Sequence, residues 1–240
     1  MKQLSRFNGI ILIIALMFPF FLTLTYFVLL AGSPIIVQKS VYGIGKIFQF
    51  LLPVFWVGVI CRERWLIRRW NVRGFAEGSV FGIFVAVTMI LLYFFWFSLP
   101  GQLLGNNTPA SVAIITKMNG LGITNGQRFF LLGLFYSVIH SGLEEYYWRW
   151  FIFGRLRGNG SWFFAAIISS FGFTAHHILL LGTYFGYTSI FCWLSSFGVA
   201  VGGLYWAWLY KRSDSIWGTW FSHGCIDAAI FIIGFIVCFR

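Results

Sequence analysis

The stretch Arg128–Phe153, RFFLLGLFYSVIHSGLEEYYWRWFIF, reads as a membrane-spanning helix everywhere except near its centre, where Glu144 and Glu145 stand side by side. About 20 residues rising roughly 1.5 Å each cross the hydrocarbon core of a bilayer, and this run is longer than that. A charged side chain at that depth costs about 3 kcal/mol or more unless it is paired, neutralised or wetted. The two glutamates therefore need a reason to be there.

The rest of the chain supplies the setting. Of 240 residues, 59% are hydrophobic, 22% aromatic and only 10% charged, a composition far outside that of soluble domains. The reading is an all-α polytopic transmembrane helix bundle of seven or eight spans, one integral membrane domain over residues 1–240. Spans are expected near 9–31, 43–60, 78–99, 128–153, 161–180, 187–210 and 215–238. The first begins after Lys2 and Arg6 but is too apolar and too long for a signal peptide. The net charge of +11 does not indicate nucleic acid, because the basic residues lie in short loops between apolar runs. A cytoplasmic N-terminus puts Lys2, Arg6, Arg62, Arg64, Arg68, Arg69, Arg73, Arg155, Arg157, Lys211 and Arg212 inside. Lys39, Lys46, Lys117, Arg128 and Arg240 then fall in the outer loops and at the C-terminus. The arginines of 62–73, interleaved with Trp65 and Trp70, read as an interfacial anchor on anionic lipid. The segment 101–127, with its GNNTPAS stretch, reads as an outer loop followed by a short interfacial helix. Four cysteines without CxxC spacing indicate neither a disulfide framework nor a zinc knuckle.

Polar residues inside the spans carry the functional signal. Glu144, Glu145 and Asp227 are three of the six acidic residues, and all four histidines, His140, His176, His177 and His223, lie in spans. On a helix, residues four apart share a face and adjacent ones diverge by about 100°. Glu145 therefore meets Arg149 as an intramembrane ion pair. Glu144 points elsewhere, either into a local hydrogen bond with His140 or toward other helices, where a carboxylate can act as a general base. His223 and Asp227, also four apart, share a face. Together with Glu144 and one of the His176/His177 pair, they suit activation of water and stabilisation of an oxyanion, as peptide hydrolysis requires. The same groups would suit a divalent metal such as zinc, and spacing does not separate the two. Counting along the spans places His177 several Å deeper than Glu144 and His223, so convergence calls for a tilt or a kink.

The ordered motifs Glu144-Glu145-xxx-Arg149, Phe173-xxx-His177 and His223-xxx-Asp227 resemble the signatures of the CAAX protease and bacteriocin-processing (Abi) family, which includes the type II CAAX prenyl endopeptidases. The resemblance covers residues 128–238 as a catalytic core. It extends to Phe197, Gly198, Gly202 and Ser215-Ile216-Trp217 ahead of the last motif. It implies an intramembrane endopeptidase of the bacterial plasma membrane in which Glu144 activates water, with His177, His223 and Asp227 as catalytic partners. Glu145, Arg149 and Phe173 would support them. It implies no cofactor, or, if the enzyme is metal-dependent, an ion on Glu144, His177 and His223. The partners implied are the lipid bilayer and a membrane-anchored protein or peptide substrate, prenylated or leader-bearing. Asp227 departs from the asparagine that CAAX endopeptidases typically carry; an ionised aspartate would repel an oxyanion that an amide would bind.

Two other classes share these residues. A non-catalytic or bacteriocin-immunity membrane protein of the same fold would use the polar cluster as glue between helices. A proton-coupled transporter would use it as a relay, and it predicts inverted repeats that the sequence does not show. Two further features have expected roles: Gly198 and Gly202 are expected to allow close helix packing, and Tyr147 and Trp148 are candidates to line a substrate entrance.

Overall fold

The computed structural model describes residues 6–63, 70–99, 102–105 and 107–239, and these are mostly helical with no strand among them. Lys2, Arg64, Trp65, Arg68, Arg69, Gly101, Asn106 and Arg240, which entered the topology argument, lie outside the described residues. The helices are α1 (Arg6–Leu24), α2 (Ile35–Val54), α3 (Val72–Leu92), α4 (Pro109–Gly120), α5 (Gly126–Leu134), α6 (Ser141–Glu145), α7 (Gly154–Leu156), α8 (Trp162–Phe185), α9 (Ile190–Ser213) and α10 (Trp217–Phe239). Several run on into wider turns with i→i+5 hydrogen bonding, at Thr25–Leu29, Phe55–Ile60, Tyr93–Phe97, Phe135–His140 and Tyr146–Phe153.

Among the described residues, six helices are long and apolar enough to cross a membrane: Gly9–Leu29, Ile35–Ile60, Val72–Phe97, Trp162–Phe185, Ile190–Ser213 and Trp217–Phe239. The protein is an integral membrane protein. The expected span 128–153 is helical throughout but is divided among α5, α6 and two wide-turn stretches, with Glu144 and Glu145 between the latter. The span expected at 43–60 begins earlier, at Ile35, so Lys46 is well inside a helix and not in an outer loop. The expected span already took in Lys46, although the charge count grouped that residue with the outer loops.

Local chemistry accounts for the helix ends. The side chains of Asn71, Thr108, Asn125, Ser161 and Ser189 accept hydrogen bonds from the first-turn amides of α3, α4, α5, α8 and α9. Such caps satisfy amides that the helix leaves without partners. At the other end of α9, Asp214 adopts a left-handed conformation and accepts a hydrogen bond from Arg157 at 2.8 Å.

Contacts divide the chain into two compact units, Met1–Arg69 with Glu144–Ile216, and Trp70–Leu143 with Trp217–Arg240. In the first, α8 packs against α9 and α1. Its core includes Phe153, Ala165, Ala166, Ala207 and Tyr210. The close approach of α9 to α8 falls at Gly203, whose added Cβ would lie 3.1 Å from Ser170 Cβ. Gly198 would meet nothing within 4 Å, and Gly202 would meet only Trp206 of its own helix, so the expected packing role passes to Gly203.

In the second unit α10 packs along α3. The two backbones nearly touch: a Cβ on Gly218 would collide with the Gly74 carbonyl oxygen, and one on Gly78 with that of Gly218. Small residues permit this dispersion-driven contact in a bilayer, where no hydrophobic effect drives helices together. Gly218→Val is expected to destabilise the protein by about 1–3 kcal/mol through overpacking, read as a lower thermal midpoint in detergent. An unchanged midpoint would contradict the close crossing.

Candidate active site

Glu144 and Glu145 close the short helix α6, which lies between two stretches of i→i+5 bonding, Phe135–His140 and Tyr146–Phe153. Insertions of this kind recur at functional sites because they rotate side chains off the regular helical register. The two glutamates point to different partners, as the helical wheel predicts.

Glu145 is fully buried and lies 3.3 Å from the Nε of Arg149, whose side chain is also buried. The guanidinium is sandwiched between Phe173 and Trp206, 4.8 and 4.9 Å from the ring centroids. It also donates to the Gly203 carbonyl at 3.5 Å. Charge, ring faces and a carbonyl together stabilise an arginine with no access to water.

Glu144 is 3% exposed and looks toward α8 and α2. Its Oε1 lies 3.8 Å from His176 Nε2 and 3.9 Å from Lys46 Nζ. Both histidines belong to the cluster, since Glu144, His176 and His177 each offer a ligand atom within 4.8 Å of the others. The ring of His176 is stacked on Trp148 with planes 5° apart and meets the edge of Phe173. Trp148 is itself held in place where Ser169 donates to its carbonyl at 3.2 Å.

The backbone sets the histidine tautomers. His177 Nδ1 lies 2.8 Å from the Phe173 carbonyl, and a carbonyl only accepts, so Nδ1 carries the proton and Nε2 keeps its lone pair. His176 Nδ1 makes the same contact with the Gly172 carbonyl, at 3.4 Å. Neutral Nε2 atoms beside a carboxylate, with the opposite ring nitrogens bound to carbonyls, form a donor set that fits a divalent ion.

His223 and Asp227 lie on α10 in the second unit, with His223 Nε2 3.8 Å from Asp227 Oδ1 as their spacing predicts. Around them Trp220 donates to the Val138 carbonyl at 2.8 Å, and a Cβ on Gly224 would collide with the Ser137 carbonyl oxygen. This fixes α10 against the wide-turn stretch Phe135–His140. His140 lies against Tyr136, ring centroids 4.7 Å apart.

Tyr147 and Trp148 do not line an entrance: both are fully buried, and Tyr147 donates to the Ala15 carbonyl at 2.6 Å. Sequence reading also missed two neighbours of Glu144. His176 was visible as half of a histidine pair, and Lys46 as a charge within an apolar run. Neither spacing could show that it faces α6.

Residues 126–229 match the family model described as Type II CAAX prenyl endopeptidase Rce1-like. Over these residues the chain is similar to the CAAX prenyl endopeptidases. The matched segment contains all three motifs, from Glu144 to Asp227, and it leaves out α1 to α4, including Lys46. No curated protein and no solved structure matches the chain.

Proposed function

We propose that the protein is an intramembrane endopeptidase that hydrolyses a peptide bond in a membrane-anchored, lipidated or leader-bearing substrate on the cytoplasmic side. The observation that carries this reading is the buried Glu144 carboxylate clustered with His176 and His177, within a segment similar to the CAAX prenyl endopeptidases. In a low-dielectric site a preorganised carboxylate is a competent proton acceptor. Glu144 takes a proton from water as the water oxygen attacks the scissile carbonyl carbon. The carbonyl electron pair moves onto its oxygen, and collapse of that tetrahedral adduct breaks the C–N bond. Glu144 then returns the proton to the leaving amine. His177, with its Nδ1–H fixed on the Phe173 carbonyl, orients the water through Nε2, and His223 with Asp227 is assigned to the same reaction.

A divalent ion would be held by Glu144, His176 and His177 and would polarise the carbonyl. The ammonium of Lys46, 3.9 Å from the same carboxylate oxygen, already supplies a positive charge there, and this favours the metal-free form.

The test is cleavage of a fluorogenic peptide panel in proteoliposomes, with and without a farnesyl group. His177→Ala and His223→Ala are each expected to lower kcat/KM by about 100-fold or more, and a strong chelator is expected to leave the wild type unchanged. Chelator-sensitive cleavage restored by zinc would replace the metal-free form with the metal-bound one. A correctly inserted wild type that cleaves no peptide would instead indicate a non-catalytic or immunity protein.

A further inference from the structure

Glu144, His176 and His177 make a donor set of the kind that holds a divalent ion, since each offers a ligand atom within 4.8 Å of the others. One carboxylate and two imidazoles are enough protein ligands for zinc. Beside this set, however, the chain already supplies a cation of its own.

Lys46 comes from α2, outside the matched segment. Its Nζ lies 3.9 Å from Glu144 Oε1, the same oxygen that His176 Nε2 approaches to 3.8 Å. An ion ligated by that oxygen at ~2 Å would sit no farther than about 6 Å from the ammonium nitrogen. The ammonium is also held in place. Tyr42 and Phe50, four residues before and after it on the same face of α2, bring their ring centroids to 5.6 and 5.4 Å. Tyr42 rests against Tyr26 at 4.5 Å, and Phe50 meets Tyr147 edge-on at 6.2 Å, so neighbouring segments anchor both rings. With the lysine side chain only 17% exposed, water screens its charge weakly.

Charge balance then separates two occupants. Lys46 and Glu144 together are neutral, so a dication added to them leaves two uncompensated positive charges within the bilayer, where charge is costly. Without the lysine, the same ion meets an unpaired carboxylate and leaves one.

We propose that the Lys46 ammonium takes the place of a metal ion at Glu144, His176 and His177, and that this lysine keeps zinc out of the site. The inference deepens the metal-free form of the endopeptidase reading and brings α2 into the site. Metal content reads it out whether or not a peptide is cleaved.

The experiment dialyses wild type, Lys46→Leu, Lys46→Arg, His177→Ala and the double variant Lys46→Leu with His177→Ala against zinc in detergent. Bound zinc and thermal midpoint are then measured. A positive charge at this range lowers the affinity for a dication by about 1,000-fold or more at the effective dielectric of a protein. Lys46→Leu is therefore expected to bind one zinc per chain at least that much more tightly than wild type or Lys46→Arg. Its midpoint is expected to rise with zinc while theirs stay level, because an ion that binds only the folded state stabilises it. The double variant, short of one ligand, is expected to lose the zinc. Should Lys46→Leu not fold, Lys46→Gln gives the same reading with a neutral polar side chain. A wild type that binds zinc as tightly as the neutral variants, and loses it in His177→Ala, overturns the proposal. So does a folded neutral variant that binds none, or a double variant that keeps its zinc. Chelator-insensitive cleavage by wild type with no zinc uptake by Lys46→Leu would overturn this inference and leave the endopeptidase reading standing. Zinc uptake by Lys46→Leu with no cleavage by wild type would do the reverse.

Discussion

Replacing Glu144 with glutamine is expected to abolish peptide cleavage while leaving membrane insertion intact. The amide has nearly the shape of the carboxylate, so the packing against His176 and α2 survives. It cannot accept a proton from water, and loss of a general base removes about 100- to 10,000-fold of rate. Removing the charge also leaves Lys46 with no carboxylate at 3.9 Å, so some loss of stability accompanies the loss of rate. The two effects separate in measurement. Rate per folded molecule comes from single-turnover kinetics on protein that elutes as a single species, and stability from its thermal midpoint. Cleavage within twofold of wild type would remove Glu144 from the chemistry and leave the polar cluster as a packing device.

The neighbouring glutamate is expected to behave in the opposite way. Glu145 and Arg149 are both buried and 3.3 Å apart, and the guanidinium is enclosed by Phe173 and Trp206. Breaking such a pair from one side strands a charge where no water can reach it, at about 3–5 kcal/mol. Arg149→Met alone should therefore destabilise the first unit severely, and Glu145→Gln alone by a comparable amount. The double variant Glu145→Gln with Arg149→Met is expected to recover most of that loss, because neither ion remains to be desolvated. A double-mutant cycle on thermal or denaturant unfolding in detergent measures the coupling directly. Additive losses with no recovery would mean that the two residues do not act as a pair. Adjacent glutamates thus divide the work: one is assigned to chemistry and the other to holding the helix that presents it.

Much of this was legible in the residues. Composition alone requires a membrane protein, since a chain with so few charges and so many aromatic residues has no way to stay in water. The 3.6-residue period settles which neighbours on one helix meet: Glu145 with Arg149 and His223 with Asp227 follow from a spacing of four, and both pairs are present. The motif order brought the family into view, and the match over 126–229 agrees with it. These are local relations, and local sequence carries them.

Contacts between helices were not legible. Nothing within α8 tells whether His176 or His177 faces Glu144, because adjacent residues diverge by about 100° and the choice depends on how α8 is rotated against its neighbours. Packing brings His176 Nε2 to 3.8 Å from the carboxylate, with its ring stacked on Trp148, and places His177 in the same cluster. Lys46 is the sharper case. Hydropathy puts this lysine inside the second span, but only the packing of α2 brings its ammonium to Glu144. The sequence by itself determined the solvent, the helices and the pairs within each helix. Tertiary structure decided which charges neutralise one another between helices, because that energy depends on distances across the bundle that no single helix encodes.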